Sequence, residues 1–212
     1  MPPDPVIVYR DDSLVVVEKP GGLLAVPGRG PDKQDCVAAR VRRLVPEMID
    51  QPAVHRLDMA TSGLMVLAVT AEAHRRLGRQ FEARRVAKRY TAVLEGIVDG
   101  DAGEICLPFR LDPDNRPHQV YDPVHGRMGV TRWRRLAIEH DRTRIEFIPL
   151  TGRTHQLRLH AAHRLGLGCP IVGDHLYGLG RDGEAMLLHA SHLAFRHPTS
   201  ETTLAFDSPA PF

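Results

Sequence analysis

The sequence contains few of the features that indicate a disulfide framework, a zinc site or a membrane span. Its three cysteines, Cys36, Cys106 and Cys169, are widely spaced and odd in number, and no C-x-x-C pair is present. This pattern favours three reduced and mostly buried thiols over a zinc knuckle or a disulfide framework. The longest apolar runs, such as Leu64 to Val69, are far shorter than the roughly 20 residues needed to cross a bilayer.

The amino terminus also lacks the features of an export signal. The opening segment MPPDPVIVYRDD carries acidic residues where a signal peptide has basic residues and then an apolar core. We therefore expect a cytoplasmic protein with no membrane association. Hydrophobic residues make up 42% and charged residues 25% of the 212 positions, which is typical of a globular protein with a buried core.

Lysine is scarce, whereas arginine is abundant. Three of the 28 basic residues are lysines and the other 25 are arginines, although the net charge is only +2. Arginine binds phosphate in a bidentate fork and stacks on bases, but the codon bias of a GC-rich genome would give the same ratio. A local cluster carries more information, and it contains Arg75, Arg76, Arg79, Arg84, Arg85, Lys88 and Arg89. This cluster is either an RNA contact or an ordinary solvated helix face.

Runs rich in β-branched residues predict a protein made mainly of strands. The predicted strands fall at residues 6–9, 14–17, 64–69, 90–94, 104–107, 130–137, 144–148, 187–195 and 202–206. Thr70 is placed to cap a helix whose buried face carries Ala73, Leu77 and Phe81 and whose other face carries the arginines. Two further helices are predicted, at 36–44 with Asp35 as N-cap and at 155–164 after a turn at 151–153.

Strands that follow strands, with few helices between them, indicate an α+β fold with a mostly antiparallel sheet. Residues 110–128 are rich in Pro, Asp, His and Gly and predict one long loop. We find no repeat and no clear linker, so we expect a single domain spanning residues 1–212.

Two segments contain candidate catalytic residues. In the first, Asp58 precedes a predicted buried strand, so its carboxylate could be presented to a cleft, with Arg56 beside it if the segment is extended. The alternative is that Asp58 caps a turn and Arg56 is a surface residue. In the second, TGRTHQLRLH, a glycine turn leads into a helix start that suits an anion, with Arg153 close by.

A metal site is not indicated by the histidines of the second segment. No H-E-x-x-H motif is present, and His155 and His160 are five residues apart, on different faces of a helix. The sequence also lacks a G-x-S-x-G elbow and a Walker loop. The segment PIVGDHLYG, which contains Asp174, predicts a tight turn and by itself no particular chemistry.

The string HRLDMATSGLMVLA at 55–68 resembles the signature of the RluA family of pseudouridine synthases, in which an R-L-D-x-x-T-S-G segment carries the essential aspartate. Further blocks follow the family's order across nearly the whole chain. They are DDSLVVVEKPGGLLAVPG, KRY, TGRTHQLRLH, PIVGDHLYG and LLHA. The H-R-L-D-M-A-T-S-G motif is most similar to the corresponding segment of the RluA branch of this family. One departure is Glu18, where the family favours Asn before Lys-Pro, and we expect it to have little bearing on the site because it lies away from the Asp58 motif.

The resemblance implies an enzyme that isomerises uridine to pseudouridine without a metal or an organic cofactor. It implies a pseudouridine synthase catalytic domain with flanking helices, a central RNA-binding cleft and no S4 domain. Asp58 would be the catalytic residue, Arg158 its charge partner, Tyr90 the residue that stacks on the target base, and Arg56 the residue that fills the gap left by the flipped nucleotide. Further RNA contacts are expected from Arg76, Arg79, Arg85, Lys88, Arg89 and Arg153.

The resemblance also suggests the substrates. Members of the RluA branch act on a tRNA anticodon stem-loop and a 23S rRNA hairpin, so we expect a bacterial, monomeric enzyme with both RNAs as partners. The alternatives are an rRNA-only synthase of another branch and a non-catalytic RNA-binding protein. A metal-dependent hydrolase that uses the twelve histidines is a third, disfavoured by their spacing.

Overall fold

The computed structural model describes residues 2–181 and 183–212. Within these residues there are ten strands, three α-helices and a short 3-10 helix at Pro31–Lys33. The strands are β1 (Val6–Arg10), β2 (Leu14–Lys19), β3 (Ser62–Ala68), β4 (Ala87–Glu95), β5 (Ala102–Leu111), β6 (Gln119–Tyr121), β7 (Arg127–Glu139), β8 (Arg142–Pro149), β9 (Leu188–Arg196) and β10 (Thr203–Asp207). The α-helices are α1 (Val37–Leu44), α2 (Ala71–Glu82) and α3 (Gln156–Ala162).

The chain forms two compact units. The first extends to Lys88 and resumes from His189 to Pro211, whereas the second runs from Arg89 to Leu188 and includes Phe212. In the first unit the strand order is β1-β2-β3-β9, with β10 paired to β9, and in the second it is β4-β8-β7-β5-β6. Within each unit these neighbouring strands pair in antiparallel fashion, except for β3 and β9, which pair in parallel. The expected α+β class with mostly antiparallel strands is therefore confirmed.

The core of the first unit lies between the sheet and α2. Thr70 caps this helix as predicted, because its Oγ1 accepts a hydrogen bond from the Ala73 amide over 3.2 Å. Ala73 and Leu77 are buried and Phe81 packs against the same cluster, so the predicted apolar face is confirmed. The cluster also contains Leu14, Val16, Leu64, Val66, Ala68, Val86, Leu193 and Phe195.

Four local predictions were wrong. Cys36, not Asp35, caps α1 through its Sγ, and Asp35 instead binds Arg40. Residues 110–128 are not one loop, since β6 lies within them and the ends of β5 and β7 extend into them. The third predicted helix is shorter than residues 155–164, because His155 adopts a left-handed conformation before α3 begins. The cysteines are free, but only Cys36 is buried, and Cys106 is exposed.

Each unit encloses a histidine that burial keeps neutral. In the first, burial and the nearby charge of Lys88 lower the pKa of His55 to about 3. In the second, burial and the charge of His163 lower the pKa of His160 to about 4. His160 packs edge-on against Phe109, with ring centroids 5.8 Å apart, and its ring nitrogens have no hydrogen-bond partner among the residues that the structure describes.

These two histidines predict a loss of stability in mild acid. The unfolded chain takes up protons near the usual histidine pKa of about 6.5, whereas the folded chain stays neutral until pH 3 to 4. The free energy of unfolding should therefore fall as the pH drops from about 6.5 to 4. The substitution His160→Leu should remove up to about 3 kcal/mol of that fall and leave stability at pH 7 unchanged or higher, since no hydrogen bond is lost. Urea unfolding at several pH values measures both effects, and a wild-type pH slope in the variant would contradict the assignment.

Candidate active site

Asp58 lies in the first unit, in the loop that leads into β3. It follows the buried Leu57 and is itself half-buried. Its backbone carbonyl accepts a hydrogen bond from the Thr61 amide over 3.1 Å, which closes a turn immediately before β3. The sequence left open whether Asp58 serves a turn or the chemistry. In the structure, the backbone carbonyl of Asp58 is the group that closes this turn.

The start of this loop is held by His55. β9 pairs with β3 only at Ser62 and Gly63, so the rest of that edge is open to other partners. The loop supplies them: the Pro52 carbonyl accepts from the Ala68 amide over 2.8 Å, and His55 Nε2 accepts from the Val66 amide over 3.0 Å. The imidazole also stacks on Phe81 of α2, with centroids 4.5 Å apart. His55 is therefore a structural anchor with its proton on Nδ1.

The middle of the loop is held by Lys19, a residue the sequence interpretation did not assign to the site. Its fully buried ammonium donates to the carbonyls of Pro20, Leu23 and Met59 over 2.8, 2.7 and 2.9 Å. The Gly22 amide donates to the same Met59 carbonyl over 2.8 Å. Burial lowers the pKa of Lys19 to about 7, and the negative charge of Asp58 opposes that shift. Lys19 thus fixes the residue next to Asp58 and acts electrostatically on its carboxylate.

Arg56 lies between the two anchored ends and is exposed. Its neighbours His55 and Leu57 point into the protein, so the arginine is the member of this motif that meets solvent. This placement is compatible with the expected contact to RNA.

In the second unit, Arg158 forms a buried ion pair that was not predicted. Its Nε and Nη2 donate to the two carboxylate oxygens of Asp174 over 2.8 and 2.6 Å, and both side chains are buried. Asp174 also accepts from the amides of Leu176 and Tyr177. Burial alone would raise the pKa of Asp174, but the hydrogen bonds and charge of Arg158 outweigh it and leave that pKa below its usual value. The tight turn predicted there therefore holds the counter-ion of a predicted site residue.

Tyr177 completes this cluster. The Arg158 guanidinium lies 5.3 Å from the centroid of its ring. Its hydroxyl accepts from the Gln119 amide over 2.7 Å and is hydrogen-bonded to His155 Nδ1 over 2.9 Å. His155 has φ 54°, and α3 starts at the next residue. Tyr177 consequently connects β6, the start of α3 and the arginine that α3 carries.

The remaining predicted site residues of the second unit are on its surface or partly buried. Tyr90 is half-buried on β4, opposite Phe147 of β8. Arg89, its neighbour, is 3.9 Å from Glu146. Arg153 is exposed, and its amide donates to the Gln156 side chain over 3.0 Å, so that side chain occupies part of the turn expected to suit an anion.

The predicted phosphate contacts between residues 76 and 88 differ in their availability. Arg76 donates to Glu72 over 2.6 Å and to the Pro198 carbonyl over 2.8 Å, so part of its charge is used within the unit. Arg79 and Arg85 are exposed. Lys88 is half-buried, and its burial lowers its pKa. Of these four cations, two arginines are therefore freely presented and two cations have internal constraints.

Residues 2–181 and 183–212 contain no group of three or more His, Cys, Asp or Glu side chains placed to hold a metal ion. Across the same residues, no helix has the length and apolar character needed to span a membrane.

Comparison with known proteins agrees with this arrangement. The sequence profile described as RNA pseudouridylate synthase matches residues 13–163. The dual-specificity RNA pseudouridine synthase RluA of Haemophilus influenzae is 42% identical over 210 residues, which cover 97% of this chain and 93% of that protein. The protein of the same name from Escherichia coli strain K12 is 42% identical over 212 residues, which cover 98% and 94%.

Solved structures agree as well. The structure of human RNA pseudouridylate synthase domain containing 1 is similar with a TM-score of 0.79 and 29% identity, covering 99% of this chain and 84% of that one. The corresponding human domain containing 4 has a TM-score of 0.75 and 26% identity, covering 97% and 88%. The chain therefore belongs to the RNA pseudouridylate synthase family and is an isomerase that converts uridine to pseudouridine in RNA.

Proposed function

We propose that this enzyme is a dual-specificity synthase that modifies a uridine in a tRNA anticodon stem-loop and a uridine in a 23S rRNA hairpin, with Asp58 as its catalytic residue. The observation that carries the proposal is the loop around Asp58. It is fixed on both sides of a half-buried carboxylate, where His55 accepts from the Val66 amide and Lys19 donates to the Met59 carbonyl. The relatives that bear the dual-specificity name are similar over almost their whole length, which supports the substrate assignment.

The chemistry requires an ionised carboxylate at Asp58. The carboxylate attacks ribose C1′, attacks uracil C6, or removes the C2′ proton, and each route needs the charged form. A positive charge nearby stabilises that form. Lys19 in its protonated form supplies one such charge from within the same unit, and we propose Arg158 as a second. The bidentate bond to Asp174 supports this role, because it fixes the orientation of the guanidinium.

The uridine has to leave its stack before it can reach Asp58, at a cost of a few kcal/mol. We propose that Arg56 takes the place of the flipped nucleotide, which its exposure next to Asp58 supports. Tyr90 would stack on the uracil. Arg79, Arg85, Arg89 and Arg153, with Arg76 and Lys88, would contact the phosphates.

We further propose that residues 1–212 act as a single catalytic domain, as a monomer in the cytoplasm. A catalytic domain that holds RNA by itself would grip only a short stem-loop. It would read the folded shape and a few splayed bases. Two RNAs that adopt the same loop shape on the enzyme would then both be substrates.

Loss of the Asp58 carboxylate should abolish the reaction. We expect Asp58→Ala and Asp58→Asn to reduce turnover to below about a hundredth of the wild-type value while RNA affinity stays nearly the same, because a covalent or proton-abstracting group cannot be replaced by solvent. Tritium release from C5 of labelled uridine measures turnover, and filter binding measures affinity. Residual turnover above that level in Asp58→Ala would overturn the assignment.

The arginines should divide into those that act on turnover and those that act on affinity. Arg158→Lys keeps a positive charge beside the buried Asp174 carboxylate but loses the bidentate hydrogen bond of the guanidinium. It should therefore lower kcat more than RNA affinity. Arg79→Ala should weaken RNA binding and leave kcat unchanged. The dependence of the logarithm of the binding constant on the logarithm of salt concentration, its salt slope, should become shallower by about one unit, as expected for the loss of one phosphate contact.

The matched control for this pair is Arg10→Ala. Arg10 is a surface arginine of β1 that is bonded to Glu47 over 2.5 Å. Its loss changes the net charge by the same amount as Arg79→Ala and should leave both kcat and RNA affinity unchanged. An unaltered salt slope in Arg79→Ala would show that this face of α2 does not meet RNA.

The substrates can be tested with short synthetic RNAs. We expect tritium release from an anticodon stem-loop and from a matching 23S rRNA hairpin, and we expect Arg56→Ala to lose turnover on both together, because one residue forces the same loop shape in each. Activity confined to long structured rRNA or to assembled ribosomal subunits would contradict dual specificity. It would leave the family and Asp58 intact.

A further inference from the structure

A continuous chain of hydrogen bonds crosses the first unit from the motif of Asp58 to the end of β2. Ser62 Oγ lies 2.8 Å from His189 Nδ1, and His189 Nε2 lies 3.0 Å from Ser208 Oγ. Ser208 Oγ donates to a carboxylate oxygen of Glu18 over 2.7 Å. His189 and Ser208 are buried, whereas the Glu18 side chain is 40% exposed. We refer to these four residues as the Glu18 relay.

The carboxylate at one end fixes the direction of every bond in the Glu18 relay. An ionised carboxylate only accepts, so the Ser208 hydroxyl must donate to it. The Ser208 oxygen then accepts from His189 Nε2–H, which leaves Nδ1 as the acceptor for the Ser62 hydroxyl. Burial lowers the pKa of His189 and the charge of Glu18 opposes that shift, so the imidazole is held neutral and in one tautomer.

The far end of the Glu18 relay meets the loop of Asp58 where it enters β3. Ser62 is the first residue of β3 and follows the turn closed between Asp58 and Thr61. Two other fixed points of this loop lie at His55 and at Met59. The bond from Ser62 to His189 is the third, and it lies on the C-terminal side of Asp58.

Glu18 and Lys19 are consecutive in β2, so their side chains leave opposite faces of the strand. Lys19 binds the Met59 carbonyl directly, whereas Glu18 reaches Ser62 through two intermediates. The residue that departs from the family pattern is therefore connected to the Asp58 motif, contrary to the expectation from its distance along the sequence.

We propose that Ser62, His189, Ser208 and Glu18 are positioning residues of the synthase, which hold the turn after Asp58 in its productive geometry through one directed hydrogen-bond relay. The inference rests on the proposed role of Asp58. None of the four residues is assigned a contact with RNA. Loss of any internal link frees Ser62 and lets the turn relax, so the effect falls on turnover.

A double-mutant cycle between Ser62 and Ser208 tests the proposal, because these residues communicate only through His189 if the Glu18 relay acts as a unit. Ser62→Ala and Ser208→Ala should each lower kcat by about tenfold, the effect of losing one hydrogen bond of ordinary strength, with KM nearly unchanged. The double variant should also be about tenfold slower. Effects that multiply to about a hundredfold, or a wild-type kcat in Ser208→Ala, would overturn the proposal.

The matched control is Asp11→Asn. Asp11 contacts His197 over 2.9 Å in the same unit and has no link in the Glu18 relay. This variant should keep its kcat even where its melting temperature falls. A comparable loss of kcat in it would show that the relay variants report general loosening of the unit.

The tautomer of His189 provides a readout that does not depend on activity. Nitrogen-detected NMR of the protein labelled with 15N-histidine should show His189 protonated at Nε2, and Ser208→Ala should reduce that population. A His189 protonated at Nδ1 would overturn the assigned direction. Because this signal should be the same in Asp58→Ala, a failure of the Glu18 relay is distinguishable from a failure of Asp58 as the catalytic residue.

Discussion

The parallel contact between β3 and β9 constrains much of the site. The two strands pair only through Ser62 with His189 and Gly63 with Ala190. Gly63 has φ 109°, and a side chain there would run into the backbone of Ala190, so only glycine permits the approach. Because β9 diverges after two residues, the amides of Val66 and Ala68 remain for the loop at 52–55. The short length of one strand pairing thus determines where the loop of Asp58 begins and ends.

Buried cations with defined partners are the second theme of the structure. Lys19 donates hydrogen bonds to three backbone carbonyls, and Arg158 is paired with the carboxylate of Asp174. Burying a charge without such partners is strongly unfavourable, and removal of one partner of a buried pair costs about 3–5 kcal/mol. These charges are therefore fixed in position before any substrate arrives. Preorganised charge is what an active site needs to hold a carboxylate ionised.

The sequence was sufficient for the fold class, most strands, the α2 helix and the family, because these follow from local periodicity and from long matching motifs. It was insufficient for contacts made by distant residues. Lys19 follows an apolar strand in K-P-G-G, which could have suggested a buried lysine, but its carbonyl partner at Met59 is forty residues away. Asp174 resembled a turn residue because its neighbours are Gly and His. His155 was counted as helical because no sequence rule predicted its left-handed backbone.

The adjacent side chains of Glu18 and Lys19 also bear on how the chain selects its strand register. Leu14 to Val17 are all buried, so this stretch of β2 is apolar on both faces, and the apolar pattern alone would tolerate a shift by one residue. Such a shift would exchange the faces of the last two residues of β2. The lysine would lose its three carbonyls and the glutamate would lose Ser208. Two polar residues at the end of an apolar strand therefore select one register of β2 with β3, because registers shifted by one residue lose their hydrogen bonds.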